Sequence, residues 1–93
     1  MSTYCFWTSD AGETVSVRHD LVDGAHFFTS TAVPGLCAAH QDARTAFAAV
    51  APQLGMIMSR RCGRPVTFNP DAAALTLLVE LVACPPGRPT SLH

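Results

Sequence analysis

Cys37 and His40 stand three residues apart and form the closest pair of soft metal ligands in the chain. A thiolate and an imidazole at that spacing supply at most half of a tetrahedral zinc site. The other half would have to come from Cys5, Cys62, Cys84, His19 or His26, none of which is closely spaced, and no CxxC is present. Four cysteines in a short chain also invite a disulfide reading. Against it, the opening MSTYCFWTSD has neither the cationic start nor the apolar run of a secretory leader. A 48% apolar composition supplies a core without staples, so the cysteines read as small buried hydrophobes or free thiols. Nucleophilic catalysis needs a nucleophile, a base and a group that orients the base. Serines, cysteines and His19, His26 and His40 are available, but no GxSxG elbow brings them together. Asp20 and Asp23 flank a turn, where aspartate has a structural role. No glycine-rich phosphate loop exists. The expectation is a chain with no catalytic residue, no metal and no cofactor.

Recognition chemistry is better represented. The chain has no lysine, and three of its arginines form the cluster Arg60, Arg61 and Arg64. The guanidinium fork suits carboxylates and phosphates, while two arginines at a helix C-terminus also suit the negative end of its dipole. Phe6-Trp7 and Phe27-Phe28 are adjacent aromatic pairs. Neighbours along a strand point to opposite faces, so one sheet face cannot bury all four rings. Some of them must meet another element or another chain. Arg60, Arg61, Arg64 and Trp7 are therefore the candidate partner-binding residues. A net charge of −1 argues against a protein that works by neutralising phosphates, so direct nucleic-acid binding is not expected. No apolar run approaches the roughly 18 residues of a membrane span, and a cytoplasmic location is expected.

These residues must be positioned by one small domain, since 93 residues leave no room for two. The domain is expected over 1–84, with a proline-rich tail over 85–93. Residues 3–9 are β-prone and aromatic, and Asp10-Ala11-Gly12 is a turn signal. Over 14–20, Val15, Val17 and His19 alternate with Ser16, Arg18 and Asp20, which predicts a half-buried strand. Asp23-Gly24 predicts a type I′ hairpin turn, and 25–31 resumes as a strand. Val33-Pro34-Gly35 breaks the ladder before a short strand at 36–40. Asp42 has the chemistry of an N-cap. Beyond it, Phe47, Val50, Leu54 and Ile57 mark one apolar helical face. Pro52 lies within that stripe, predicting one kinked helix that ends near Gly63. Residues 66–68 form a short extended piece, and Asn69-Pro70-Asp71 a turn. Residues 72–83 carry helix-forming Ala, Leu and Glu, yet a near-continuous apolar run also suits a strand covered on both faces. A strand over 75–83 is the expectation.

The stretch from Val15 to about Pro70 resembles the HicB antitoxin-like domain family. The resemblance is carried by VSVRHDLVDGAHFFTSTAVPGLCAAHQDARTAFAAVAPQLGMIM. A first strand ends in Asp20, Asp23-Gly24 makes the turn, and Phe27-Phe28-Thr29-Ser30 lies on the second strand. The element Val33 to Leu36 reads Val-Pro-Gly-Leu, and an amphipathic helix with a central proline follows. The resemblance implies an α+β fold of the partial RNase H-like kind. This is an antiparallel three- to four-stranded sheet packed on one kinked amphipathic helix, β-β-β-α-β, with the N-terminal segment adding an edge strand. It implies a non-enzymatic protein that occludes a partner such as a HicA-type ribonuclease toxin. Many members continue into a DNA-binding segment, for which the residues after Ala83 leave no room, so autoregulation is not expected. A homo-oligomer using the same surfaces fits this picture. The alternative is a small phage- or mobile-element-encoded inhibitor of a host enzyme or defence complex.

Overall fold

The structure, a computed structural model, describes residues 2–83. The expected proline-rich tail and Cys84 lie outside the described residues. The elements run β1 (Ser2–Ser9), β2 (Thr14–Val22), β3 (Ala25–Thr29), β4 (Cys37–His40), α1 (Ala43–Cys62), β5 (Phe68–Pro70) and α2 (Ala72–Ala83). All strands pair antiparallel in one sheet of order β4-β3-β2-β1-β5. α1 lies over β3, β4 and β5, and α2 over β1 and β5. The broad α+β class is as expected, but the arrangement is β-β-β-β-α-β-α.

Local chemistry explains the frame. Asp23 (φ 51°) and Gly24 (φ 79°) both take the positive φ of a type I′ turn. That turn fixes the β2–β3 register, with Val22 opposite Ala25 and His19 opposite Phe28. Asp42 caps α1 by accepting the Thr45 N–H at 3.1 Å, and Gly63 closes it at φ 71°. Proline in a helix removes one backbone bond. Pro52 and Ala48, one turn back, are both exposed, and α1 runs as one helix from Ala43 to Cys62.

Three expectations are corrected. The predicted strand at 75–83 is the helix α2. Its inward stripe, Ala74, Leu77, Leu78 and Leu81, has helical spacing, which a run apolar at nearly every position conceals. Asp71, expected in a turn, accepts the Ala74 N–H at 3.0 Å and so caps this helix. The N-terminal strand is not an edge. β1 sits between β2 and β5, and the chain at 68–70, instead of turning, forms the edge strand beside it.

The core lies between the helices and one sheet face. Cys5, Trp7, Val15, Val17, Phe28 and Ala38 meet Ala46, Phe47, Val50, Leu54, Ala74 and Leu77. Trp7 packs on Phe28 and Phe47 with ring centroids 6.3 and 5.1 Å away. Such pairs add roughly 0.5–1.5 kcal/mol each beyond the burial of area.

Candidate interaction surfaces and the buried histidine pair

The aromatic pairs divide as strand alternation requires. Trp7 and Phe28 point into the core, while Phe6 and Phe27 point to the opposite face, over which neither helix lies. Trp7 is 0% exposed, so its candidacy as a partner-binding residue is corrected: it is a core residue. Its indole N–H has no hydrogen-bond partner among the described residues.

The open face carries Tyr4, Phe6, Ser16, Arg18, Asp20, Val22, Phe27 and Thr29 on neighbouring strands. Tyr4 is 60% exposed and Val22 51%. Arg18 and Asp20, two apart on β2, share this face and pair at 2.8 Å. With Val22, Phe27 and Thr29 they line a shallow depression of about 430 Å³.

On the helical side, α2 turns Leu75 and Val79 outward, the latter 66% exposed. An apolar groove of about 310 Å³ runs between Arg44 at the start of α1 and Leu78, Val79, Val82 and Ala83. The predicted arginine cluster lies at the other end of α1. Arg60, Arg61 and Arg64 are all exposed. Arg61 reaches the Ala32 carbonyl at 3.5 Å and the Met58 sulfur at 3.9 Å, which ties it to the bend before β4.

Cys37 and His40 do not converge. Cys37 pairs with Thr29 and shares the open face, whereas His40 pairs with His26 on the core side. His40 Nδ1 instead accepts the Asp42 N–H at 2.9 Å. Among the described residues no three of His, Cys, Asp and Glu gather as metal ligands. Cys5 is buried and donates weakly to the Val17 carbonyl at 3.7 Å; burial first, then Asp71, pushes its thiol pKa up to about 11.

His19 and His26 form the one constellation that the residue-by-residue reading missed. Both side chains are buried on the core face, with Nε2 of His19 2.9 Å from Nδ1 of His26 and the rings stacked at 5.2 Å. One nitrogen donates and the other accepts, so the pair is held by a single shared proton. Burial lowers both pKa values. His26 further lowers that of His19, while Asp20 opposes the shift at His19 and Asp42 at His26. A small cleft of about 140 Å³ beside His26 is lined by Asp42, Arg44 and Leu81. Among the described residues the hydrogen-bond partner of each ring is the other histidine. The signal that could have found it was the two-residue turn, whose register sets His26 diagonal to His19.

Among the described residues no helix is long and apolar enough to cross a membrane. Compared with profiles of known protein families, with curated proteins and with solved structures, the chain matches none.

Proposed function

We propose that this chain is a non-enzymatic protein-binding module that acts by occlusion, in the manner of the HicB-type antitoxins that its sequence resembles. Its partner is a small toxin-like protein such as a HicA-type ribonuclease, and its place of action is the cytoplasm. The observation that carries the reading is the set of large apolar side chains left at the surface after a complete core has formed. Tyr4, Phe6 and Val22 lie on the open sheet face, and Leu75 and Val79 lie along the outside of α2. Large apolar side chains left exposed on both faces of a small domain point to interaction surfaces. The α2 side suits the toxin-like partner, because its groove places Arg44 beside Leu78, Val79 and Val82, an arginine anchor among aliphatic contacts. Arg60, Arg61 and Arg64, at the far end of α1, lie outside this groove and add positive charge that steers the encounter.

Co-expression with a HicA-type ribonuclease tests the proposal. The expected result is a stoichiometric complex in which RNA cleavage is suppressed, and its loss in the variant Val79→Asp. Toxin that stays active and elutes apart from this chain would overturn it.

A further inference from the structure

The open face of the sheet has a symmetry that its occupant must match. Its rows of directly opposed residues run across the strands. One contains Tyr4, Arg18, Thr29 and Cys37, and the row two residues along β2 contains Asp20, Phe27 and Ala39. The row between them, through His19 and Phe28, points into the core. Arg18 and Asp20 thus lie at equal distances on either side of the His19 row, with opposite charge.

We propose that this face joins two copies of the chain about a two-fold axis that lies across the strands at the His19 row. Such an axis exchanges the two flanking rows. Arg18 comes over Asp20 of the second copy, and Phe27 over Thr29 of the second copy. Burying an ion pair costs desolvation that its own attraction repays poorly. Under this symmetry the four charges close into an alternating ring in which each has two opposite neighbours. An unrelated partner would have to bring a matching pair of charges, whereas a second copy brings it by rotation, and isologous two-fold dimers are the commonest soluble assembly.

The edges of the sheet point the same way. At β4 the Cys37 N–H is already accepted by Oε1 of Gln53 at 3.2 Å. At the other edge β5 has three residues and ends in Pro70, which has no N–H to donate. Both edges are thus partly closed to a further strand, which favours association through the face. Five strands about 4.8 Å apart, five to nine residues long in the centre of the sheet, give a face of roughly 500 Å². Two such faces bury about 1,000 Å², the lower bound for a specific interface. The dimer forms without any toxin, and it leaves the α2 groove on both outer sides for the partner proposed above.

Light scattering on the purified chain across a range of concentrations is the test. The expected mass is twice the 9.9 kDa of one chain. Arg18→Glu and Asp20→Arg each place like charges across the axis and shift the chain to monomer. The double variant carrying both restores the alternating ring and the dimer. Phe27→Asp gives a monomer as well, and far-UV circular dichroism checks that each variant is folded. A wild-type chain that stays monomeric overturns the proposal, as does a dimer that survives both single charge reversals, whose exposed or half-exposed sites are tolerant of folding. The binding-module reading fails separately. A monomer that still captures the toxin and loses it on Val79→Asp sinks the dimer alone, whereas a dimer that captures none sinks the module alone.

Discussion

His19 and His26 carry a pH dependence whose sign follows from their burial. Both pKa values are lowered from 6.5 in the fold, so the folded state binds fewer protons than the unfolded state just below that value. Stability is therefore insensitive to these groups above pH 6.5 and falls as the pH drops through and below it. The negative charges of Asp20 near His19 and of Asp42 near His26 soften the loss without reversing it, because burial is the larger cause at both rings. Urea midpoints measured across this range should fall on acidification, and His26→Gln should flatten the slope. A steeper slope in that variant would contradict the assignment. The Cys5 thiol, pushed up to about 11 and enclosed, makes a second residue-scale expectation. Thiolate is the reactive form. Alkylation of the native protein near neutral pH should modify the exposed Cys62 and spare Cys5 until denaturant is added, as peptide mass mapping would show.

At the scale of elements, α1 carries two helix-weakening residues for different reasons. Pro52 is exposed, as is Ala48 one turn back, whose carbonyl it leaves without a helical partner. Pro52→Ala restores one backbone bond and removes the ring clash, so it should raise the thermal midpoint, by as much as about 3 kcal/mol of stability. Gly55 is different, because a Cβ there would sit 3.1 Å from the Val66 carbonyl oxygen. That chain is pinned against α1 by Ser59, whose Oγ accepts the Val66 N–H at 2.9 Å. Gly55→Ala should therefore lower the midpoint despite alanine's better helix propensity. The sequence made α1 legible, with its cap, its stripe and its closing glycine, because its polar and apolar positions differ sharply. The hairpin was legible through Asp23-Gly24 for the same local reason. α2 was not. Over 72–83 nearly every side chain is apolar, so helical and strand periods coincide. The decisive signal was Asp71, an N-cap hidden in what read as a turn. Of the candidate site, the outward turn of Phe6 or Phe27 was legible from alternation alone. The burial of Trp7 was not, because which face the helices cover is settled only by α1 and α2 together.

For the whole molecule, the decisive joint is between its first and last described elements. β1 lies between β2 and β5, and α2 packs on β1 and β5, so the first described strand is closed in by the last described segments. Residues that the HicB-like resemblance leaves outside the compact unit, Met1–Gly12, supply Cys5 and Trp7, both fully buried. Trp7 touches Phe28 of the hairpin and Phe47 of α1, linking the sheet to the helical layer in one cluster. Trp7→Ala should cost about 3–5 kcal/mol through lost burial and the cavity left behind. A domain of this size has only about 5–15 kcal/mol in total, so that single change consumes a large part of the margin. A chain that begins at Glu13 loses the ring, Cys5 and two strand pairings together, and should not fold at all. Far-UV circular dichroism and the dispersion of amide proton shifts would check this. A cooperative, well-dispersed truncated chain would show that the resemblance marks an autonomous unit and that β1 only covers it. Loss of structure would mean that the fold closes through its own N-terminus, and that any protein docking on the open face meets Tyr4 and Phe6 as parts of the same unit that builds the core.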